Sequence, residues 1–133
     1  MRRLFCFILV LLMVCTMVLP AAASQATVQP RWTYLDAVSA TLDINALGVA
    51  SCRGQAAVNS SNRIAVYVTL QQQTTSGWVT IRNWSATGSG AAQAFGQYAV
   101  ARGYTYRINV FAYVYDDRGN IIETGSASQF RVF

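Results

Sequence analysis

Hydrophobic and polar residues alternate with a period of two along most of the chain after residue 31, and this alternation predicts β-strands. The clearest case is a segment in which Ile64, Val66, Val68 and Leu70 alternate with Ala, Tyr and Thr. No stretch shows helical spacing over three turns. The predicted strands cover residues 38–44, 49–58, 64–70, 78–84, 95–100 and 104–115, with a last strand that begins at 121–124 and closes near 130–133.

Polar and glycine-rich segments separate the predicted strands. We expect a loop at 59–62, a polar hairpin loop at 71–77 and an exposed loop at 86–92. The segment 116–120 (Asp-Asp-Arg-Gly-Asn) predicts a hairpin turn, because Gly and Asn tolerate positive φ angles. About seven strands joined in this way predict an all-β fold that forms a single antiparallel β-sandwich, with a small closed barrel as the alternative.

A short motif at the start of the long strand refines this expectation. In Gly103-Tyr104-Thr105-Tyr106, a glycine stands three residues before a tyrosine that opens the strand. The motif resembles the tyrosine corner of immunoglobulin-like and fibronectin type III domains, where the phenol hydroxyl bonds back to the backbone. This resemblance implies an immunoglobulin-like sandwich with Tyr106 at the corner and Gly103 as a structural residue, and it implies nothing about function.

Residues 1–23 have the pattern of a secretory signal peptide. Two arginines precede an apolar run at 4–19, Pro20 breaks that run, and three alanines supply the small residues that signal peptidase requires. The apolar run is too short to span a membrane comfortably, and no stop-transfer pattern follows it. We therefore expect cleavage before Ser24, a secreted protein, and no stable membrane insertion after cleavage.

Removal of those 23 residues from the 133 leaves 110, in which the polar, aperiodic segment 24–31 is a predicted flexible leader and 32–133 a single β-sandwich domain. This part has no His, no Lys and one Cys. Catalytic triads, imidazole zinc sites, Schiff bases, P-loops and intramolecular disulfides are thereby excluded. We predict that the protein is not an enzyme, and we assign it no cofactor and no metal.

The charged residues give no clear site. Eight dispersed Arg against five acidic residues leave a net charge of +3 without a basic patch, so we expect no nucleic-acid binding, although weak attraction to anionic envelopes or glycans remains open. Asp116 and Asp117 are adjacent in a turn, which does not suit the two carboxyls of a glycosidase. Calcium binding by these two with Asn120 is less favoured than an ordinary turn.

Cys52 has two interpretations. A lone cysteine in an exported protein can form an intermolecular disulfide or act as a reactive thiol. It stands, however, among small residues on one apolar face, between Ala50 and Gly54. We therefore predict a buried, structural side chain on a strand that approaches the facing sheet closely.

Aromatic side chains are the best lead to a binding site. Several alternate away from the predicted core, and exposed rings on a rigid sheet can stack on sugars or anchor a protein partner. Cross-strand pairing that stabilises the sheet is the alternative, and strand propensity alone favours it. The outward positions include Phe111, and the candidate ligand-binding residues are Tyr67, Trp78, Trp84, Tyr113 and Tyr115.

A wider resemblance covers nearly all of the chain after residue 23. Its phrases, in order, are Ala-Ser-Cys-Arg-Gly at 50–54, Val-Thr-Leu-Gln-Gln at 68–72 with Gly-Trp at 77–78, Trp-Ser at 84–85, Gly-Tyr-Thr-Tyr-Arg at 103–107, and Val-Tyr-Asp at 114–116 with Gly119 and Glu123. Together they resemble an uncharacterised family of small secreted proteins of clostridial Gram-positive bacteria. The resemblance implies bacterial export and a compact β domain, and it transfers no catalytic residue.

These observations predict a secreted, non-enzymatic binding domain whose ligand is a cell-envelope glycan or a protein partner. The alternative is a structural protein that assembles with copies of itself through sheet edges or through the aromatic face.

Overall fold

The computed structural model describes residues 31–133. The predicted signal peptide, and all of the predicted leader except Arg31, lie outside the described residues. Residues 31–133 contain no helix able to span a membrane. Their seven strands are β1 (Leu35–Ile44), β2 (Val49–Val58), β3 (Arg63–Thr74), β4 (Gly77–Ser89), β5 (Ala91–Ala99), β6 (Thr105–Tyr115) and β7 (Ile121–Val132).

The seven strands of the described part form two sheets. One sheet has the order β1-β2-β5, the other has the order β4-β3-β6-β7, and every pairing is antiparallel. The inner faces of both sheets contribute to one hydrophobic core. This arrangement confirms the predicted all-β antiparallel sandwich, because two separate sheets replace the single sheet of a closed barrel.

In the core, large side chains of β3 and β6 pack against the small side chains of β2. Alternate residues of β3 and β6, from Ile64 to Leu70 and from Ile108 to Val114, are fully buried. Each buried Val, Leu or Ile stabilises the fold by about 1.5–3 kcal/mol. They face the small residues of β2, and a Cβ on Gly54 would lie 2.5 Å from the Val68 Cγ2 atom. The predicted close approach of β2 to the facing sheet is therefore confirmed.

The predicted hairpin loop at 71–77 is wrong. Strand β3 continues to Thr74 and β4 begins at Gly77, so only two residues form the turn. Gln71 pairs with Thr80, and its side-chain Nε2 donates a hydrogen bond of 3.0 Å to the Thr80 Oγ1 atom. Polar residues extend this hairpin because side-chain hydrogen bonds on its outer face replace apolar contacts.

The predicted exposed loop at 86–92 is also wrong. Strand β4 continues to Ser89 and β5 begins at Ala91, with Gly90 alone between them. The chain changes sheets at this residue, and the Gly90 carbonyl accepts a hydrogen bond of 2.8 Å from the Val58 backbone N–H. Small residues such as Ala92 occupy the inner face here because two backbones meet at the corner. The small residues of this segment therefore reflect close packing of strands and not an exposed loop.

Side chains of β7 close one side of the sandwich. The Glu123 carboxylate accepts three backbone hydrogen bonds, from Thr33 (2.6 Å), Tyr34 (2.8 Å) and Leu35 (2.6 Å). The Gln129 side chain accepts a further one from the Leu42 backbone N–H. Both side chains thus satisfy donors along the open edge of β1, a position that would otherwise be available to another strand.

Glu123→Gln should destabilise the protein at pH 7 and weaken its acid dependence. Burial alone raises the pKa of Glu123, but the backbone donors together outweigh burial and hold this pKa below its usual value. The stabilisation that ionised Glu123 contributes is therefore complete above the pKa of about 4.3 that this side chain has in the unfolded chain. It is lost as the pH falls through the lower pKa of Glu123 in the folded protein. We expect a loss of about 1–2 kcal/mol at pH 7, moderated by solvent at the exposed end of the cluster.

Chemical denaturation of both proteins between pH 7 and pH 2 measures this effect. The difference in unfolding free energy should shrink towards zero at the acid end, where the wild-type side chain is also neutral. Asp117→Asn is the matched control, since it removes a carboxylate from an exposed turn position. A constant difference at all pH values would show that the charge of Glu123 contributes nothing.

Candidate functional site

The outer surface of the four-stranded sheet carries most of the predicted aromatic residues, and we call it the aromatic face. Antiparallel partners point to the same side of a sheet, so the register places Tyr67 beside Phe111 and Arg107 beside Phe130. The rings form two groups. The tyrosine cluster consists of Arg63, Tyr67, Phe111, Tyr113, Tyr115 and Ile121, and the tryptophan cluster consists of Trp78, Arg107 and Phe130.

The tyrosine cluster forms a shallow depression. Tyr67, Tyr113, Tyr115 and Ile121 line a volume of about 390 Å³. The rings of Tyr67 and Tyr113 meet edge to face, with centroids 5.6 Å apart and planes at 78°. The guanidinium carbon of Arg63 lies 4.3 Å from the Tyr115 ring centroid. The cluster therefore presents fixed ring surfaces with one cation at their margin.

The tryptophan cluster lies at the opposite end of the same face. The Trp78 and Phe130 ring centroids are 5.9 Å apart, and the Arg107 guanidinium carbon lies 4.1 Å from the Trp78 ring centroid. The Arg107 Nε atom donates a hydrogen bond of 2.7 Å to the Gln71 Oε1 atom, which also accepts one of 3.0 Å from the Asn109 Nδ2 atom. These contacts hold Arg107 against the indole.

A polar band separates the two clusters. It includes Thr69 and Asn109, which are direct partners on β3 and β6, and it continues to Asn83 and Ser128 on the flanking strands. Hydroxyl and amide groups at these positions can donate and accept hydrogen bonds. The aromatic face thus combines rings on which a ligand can stack with polar groups that can orient the ligand through hydrogen bonds.

The predicted outward orientation of Trp84 is wrong. Trp84 is partly buried and packs against the core, and a Cβ on Gly96 would overlap its indole ring. The cause is an irregularity in the pairing of β3 with β4. Leu70 pairs with Arg82, but Gln71, the next residue of β3, pairs with Thr80, so β4 has one extra residue between these partners. The extra residue reverses the alternation of the strand, so Trp84 lies on the inner face while Trp78 stays on the outer one.

Tyr106 makes the contact that the sequence motif predicts. Its side chain is fully buried, and its hydroxyl donates a hydrogen bond of 2.6 Å to the Ala101 backbone carbonyl. Burial raises the pKa of the Tyr106 phenol more strongly than that hydrogen bond lowers it. Gly103 precedes the strand with a φ of +90°, and its backbone N–H donates to the Phe133 carbonyl at 2.6 Å. Both residues therefore shape the corner before β6.

Cys52 is fully buried, as its small neighbours predict. Burial raises the pKa of its thiol to about 12. A thiol with this pKa is a poor nucleophile at neutral pH. The folded domain therefore offers no reactive cysteine at position 52.

Two of the carboxylates have structural partners. Asp116 accepts backbone hydrogen bonds from Arg118 (2.9 Å) and Asn120 (2.8 Å), and its Oδ2 atom accepts a third from the Asn120 side chain (3.0 Å). Hydrogen bonds from the Asn120 side chain and backbone chiefly lower the pKa of Asp116. The turn thus uses this carboxylate to fix its own backbone, and Glu123 binds the backbone just before and at the start of β1.

Four members of the aromatic face were not among the residues predicted from the sequence: Arg63, Arg107, Ile121 and Phe130. Phe130 is 51% exposed and Ile121 is 53% exposed. Their places follow from the β6–β7 register, which contains an irregularity between Val114 and Tyr115. The predicted turn at 116–120 could have aligned the two strands, but it could not have located that irregularity.

The outer face of the three-stranded sheet is different in character. It has a depression of about 320 Å³ whose lining is mainly Ala, Gln and Ser. Phe95 is its one large exposed ring in the described strands, with the Arg53 guanidinium carbon 5.5 Å from the ring centroid. This surface offers fewer ring contacts to a ligand than the aromatic face does.

No protein-family model matches the chain, and no curated protein matches it. The resemblance to small secreted clostridial proteins rests on the sequence phrases alone.

Proposed function

We propose that the protein is a secreted, non-enzymatic binding domain that binds a cell-envelope glycan through the aromatic face. The observation that carries this proposal is the set of partly exposed rings fixed on a rigid sheet beside hydroxyl and amide groups. Tyr67 and Phe111 are 44% and 43% exposed, and Trp78 lies at the other end of the same surface. Sugar rings present C–H groups to aromatic faces and hydroxyls to polar side chains, so both features suit them.

The distribution of rings favours a glycan over a protein partner. The core of a stable protein interface is contiguous, apolar and depleted in charge. On the aromatic face a polar band that includes Thr69 and Asn109 divides the apolar surface in two. An extended chain of sugars can contact both clusters and the band between them, whereas a protein surface would have to desolvate the band.

The absence of enzymatic activity belongs to the same proposal. Asp116 and Glu123 are engaged in backbone hydrogen bonds, and the remaining carboxylates are Asp36, Asp43 and Asp117. Asp36 and Asp43 lie on β1 of the opposite sheet. No carboxylate projects from the aromatic face in the described strands, and hydrolysis of a bound glycan requires two.

The strand order and the corner tyrosine support an immunoglobulin-like type of sandwich. Strand β5 joins the sheet of β1 and β2, while β3 lies between β4 and β6 and β7 pairs with the far side of β6, an arrangement compatible with the Greek-key connections of such domains. Tyr106 stands at the start of the sixth strand, where these domains place their corner tyrosine. Export by a Gram-positive bacterium, implied by the sequence phrases, would bring the domain to a wall rich in glycans.

Self-assembly through strand edges is the second candidate from the sequence. The Leu35 and Leu42 backbone donors at the edge of β1 are already occupied by Glu123 and Gln129. Addition of a strand from another copy would have to displace both side chains. This edge therefore favours the binding function over assembly.

Tyr67→Ala and Trp78→Ala test the proposed function. Each should weaken binding of residues 24–133 to immobilised Gram-positive envelope polysaccharide about five- to tenfold, since one stacked ring contributes about 1–1.4 kcal/mol. Pull-down and calorimetric titration measure the loss. Phe95→Ala is the matched control, because it removes an exposed ring from the opposite sheet.

Three outcomes would contradict the proposal. The wild-type domain could fail to bind the polysaccharide, the Phe95→Ala variant could lose as much affinity as the others, or binding could survive enzymatic removal of the polysaccharide. The last outcome would indicate that the ligand is an envelope protein and not the glycan. Thermal unfolding of each variant shows that the loss of binding is not a loss of fold.

A further inference from the structure

The inference rests on the proposed function and narrows its ligand: we propose that the aromatic face binds an acidic polysaccharide whose anionic groups contact Arg63 and Arg107. Both arginines point outward on this face, since Arg63 pairs with Tyr115 and Arg107 with Phe130. Each belongs to one of the two aromatic clusters. A ring for stacking and a cation for an acid group therefore occur together twice on one sheet.

The charge on the aromatic face has one sign. The outward positions of its four strands include these two arginines and no acidic residue, in the part of the chain that the structure describes. Asp36 and Asp43 belong to the opposite sheet, and Glu123 binds backbone groups just before and at the start of β1. The remaining two carboxylates stand in the β6–β7 turn beyond the tyrosine cluster, where Asp116 is hydrogen-bonded to turn residues.

The two guanidinium groups are positioned by neighbouring groups that leave donors free for a ligand. Arg63 lies against Tyr115, and Arg107 lies against Trp78 with its Nε atom bonded to Gln71. Within residues 31–133 the terminal nitrogens of Arg107 have no hydrogen-bond partner. A guanidinium held in this way loses little side-chain freedom on binding, and its paired N–H groups fit carboxylate, sulfate or phosphate oxygens.

The separation of the arginines indicates a polymer. Arg107 and Tyr115, the partner of Arg63, are eight residues apart on β6, which corresponds to about 25 Å along the strand. A small anion can contact only one of them. A nucleic acid would meet only two cations here, and these are fewer phosphate contacts than its affinity normally requires. An acidic polysaccharide can reach both arginines and stack on the rings beside each.

The test compares acidic polymers with neutral counterparts. Residues 24–133 are titrated with polygalacturonate, with the same polymer after carboxyl reduction, with dextran sulfate and with dextran. We expect at least one acidic polymer to bind about tenfold more tightly than its neutral counterpart, and this advantage should fall when salt rises from about 20 to 300 mM. Arg63→Gln and Arg107→Gln should each weaken acidic binding about fivefold, and the double variant more than either.

Arg53→Gln is the matched control, since it removes the same charge from an arginine near a ring on the opposite sheet. It should change the affinity less than twofold. Equal binding of acidic and neutral polymers, with Tyr67→Ala still reducing both, would overturn the inference and leave the proposed function intact. Equal losses in Arg53→Gln, or binding of envelope polysaccharide without binding of either acidic polymer, would also overturn it. A domain that binds no polysaccharide contradicts the proposed function itself.

Discussion

Tyr106→Phe should lower the free energy of unfolding by about 1–2 kcal/mol, because it leaves the Ala101 carbonyl without its buried hydrogen-bond donor. Tyr106→Ala should cost about 3–5 kcal/mol, since it also removes a fully buried ring. The ring lies in the core where β6 begins, and its removal would leave a cavity there. Urea denaturation monitored by tryptophan fluorescence measures both losses.

Tyr104→Phe is the control for the hydroxyl. Tyr104 stands two residues away and is 42% exposed, with its ring 6.4 Å from that of Tyr106. Water can replace any partner of its hydroxyl, so this variant should lose less than about 0.5 kcal/mol. Equal, negligible effects of the two Phe variants would show that the corner hydrogen bond does not stabilise the fold.

Gly54→Val should cost about 3 kcal/mol, because it forces atoms into the closest approach between the two sheets. A Cβ at this position would lie 2.5 Å from Val68 Cγ2 and 2.9 Å from Val110 Cγ1. Both valines are fully buried, and close-packed interiors leave little room for such side chains to shift. The same denaturation experiment measures the loss.

A second substitution tests the cause of that loss. Val68→Ala should recover part of the stability lost in Gly54→Val, so the double variant should be more stable than the sum of the single losses predicts. Ala57→Val places the same side chain on the outer face of β2 and should be nearly neutral. An additive double variant, or an equal loss in Ala57→Val, would show that steric overlap with Val68 is not the cause.

The sequence predicts the fold well where alternation continues through whole strands. The inner faces of β2, β3 and β6 were predicted correctly because residues such as Ala56, Val66 and Val110 recur at every second position and are buried. The pattern fails where strands consist of polar or small residues. Gln71 extends β3 through side-chain hydrogen bonds, and Ala92 lies at a corner between sheets, and neither kind of contact leaves a hydrophobic period in the sequence.

The candidate site was predictable in part for the same reason. The outward orientation of Tyr67, Tyr113 and Tyr115 was predictable because β3 and β6 keep strict alternation, whereas their shared depression is seen only in the structure. Trp84 was misplaced because one irregular residue in β4 reverses the inward and outward positions. The contact of Arg107 with Trp78 joins two strands that are not neighbours in the sheet, so only the full strand order reveals it.

The bonds of Glu123 also determine when the domain can finish folding. They connect the start of the first strand to the last strand across about ninety residues, with sequence separations of 88 to 90. When the chain is synthesised or exported with its N-terminus first, β1 can pair with β2 early. The Thr33 and Leu35 N–H groups can bond to Glu123 only after the final hairpin has formed. Folding is therefore completed late and depends on the C-terminal end of the chain. This is expected of β proteins with a high contact order, in which closing long loops is slow. Until that hairpin arrives, the edge of β1 is open to other chains.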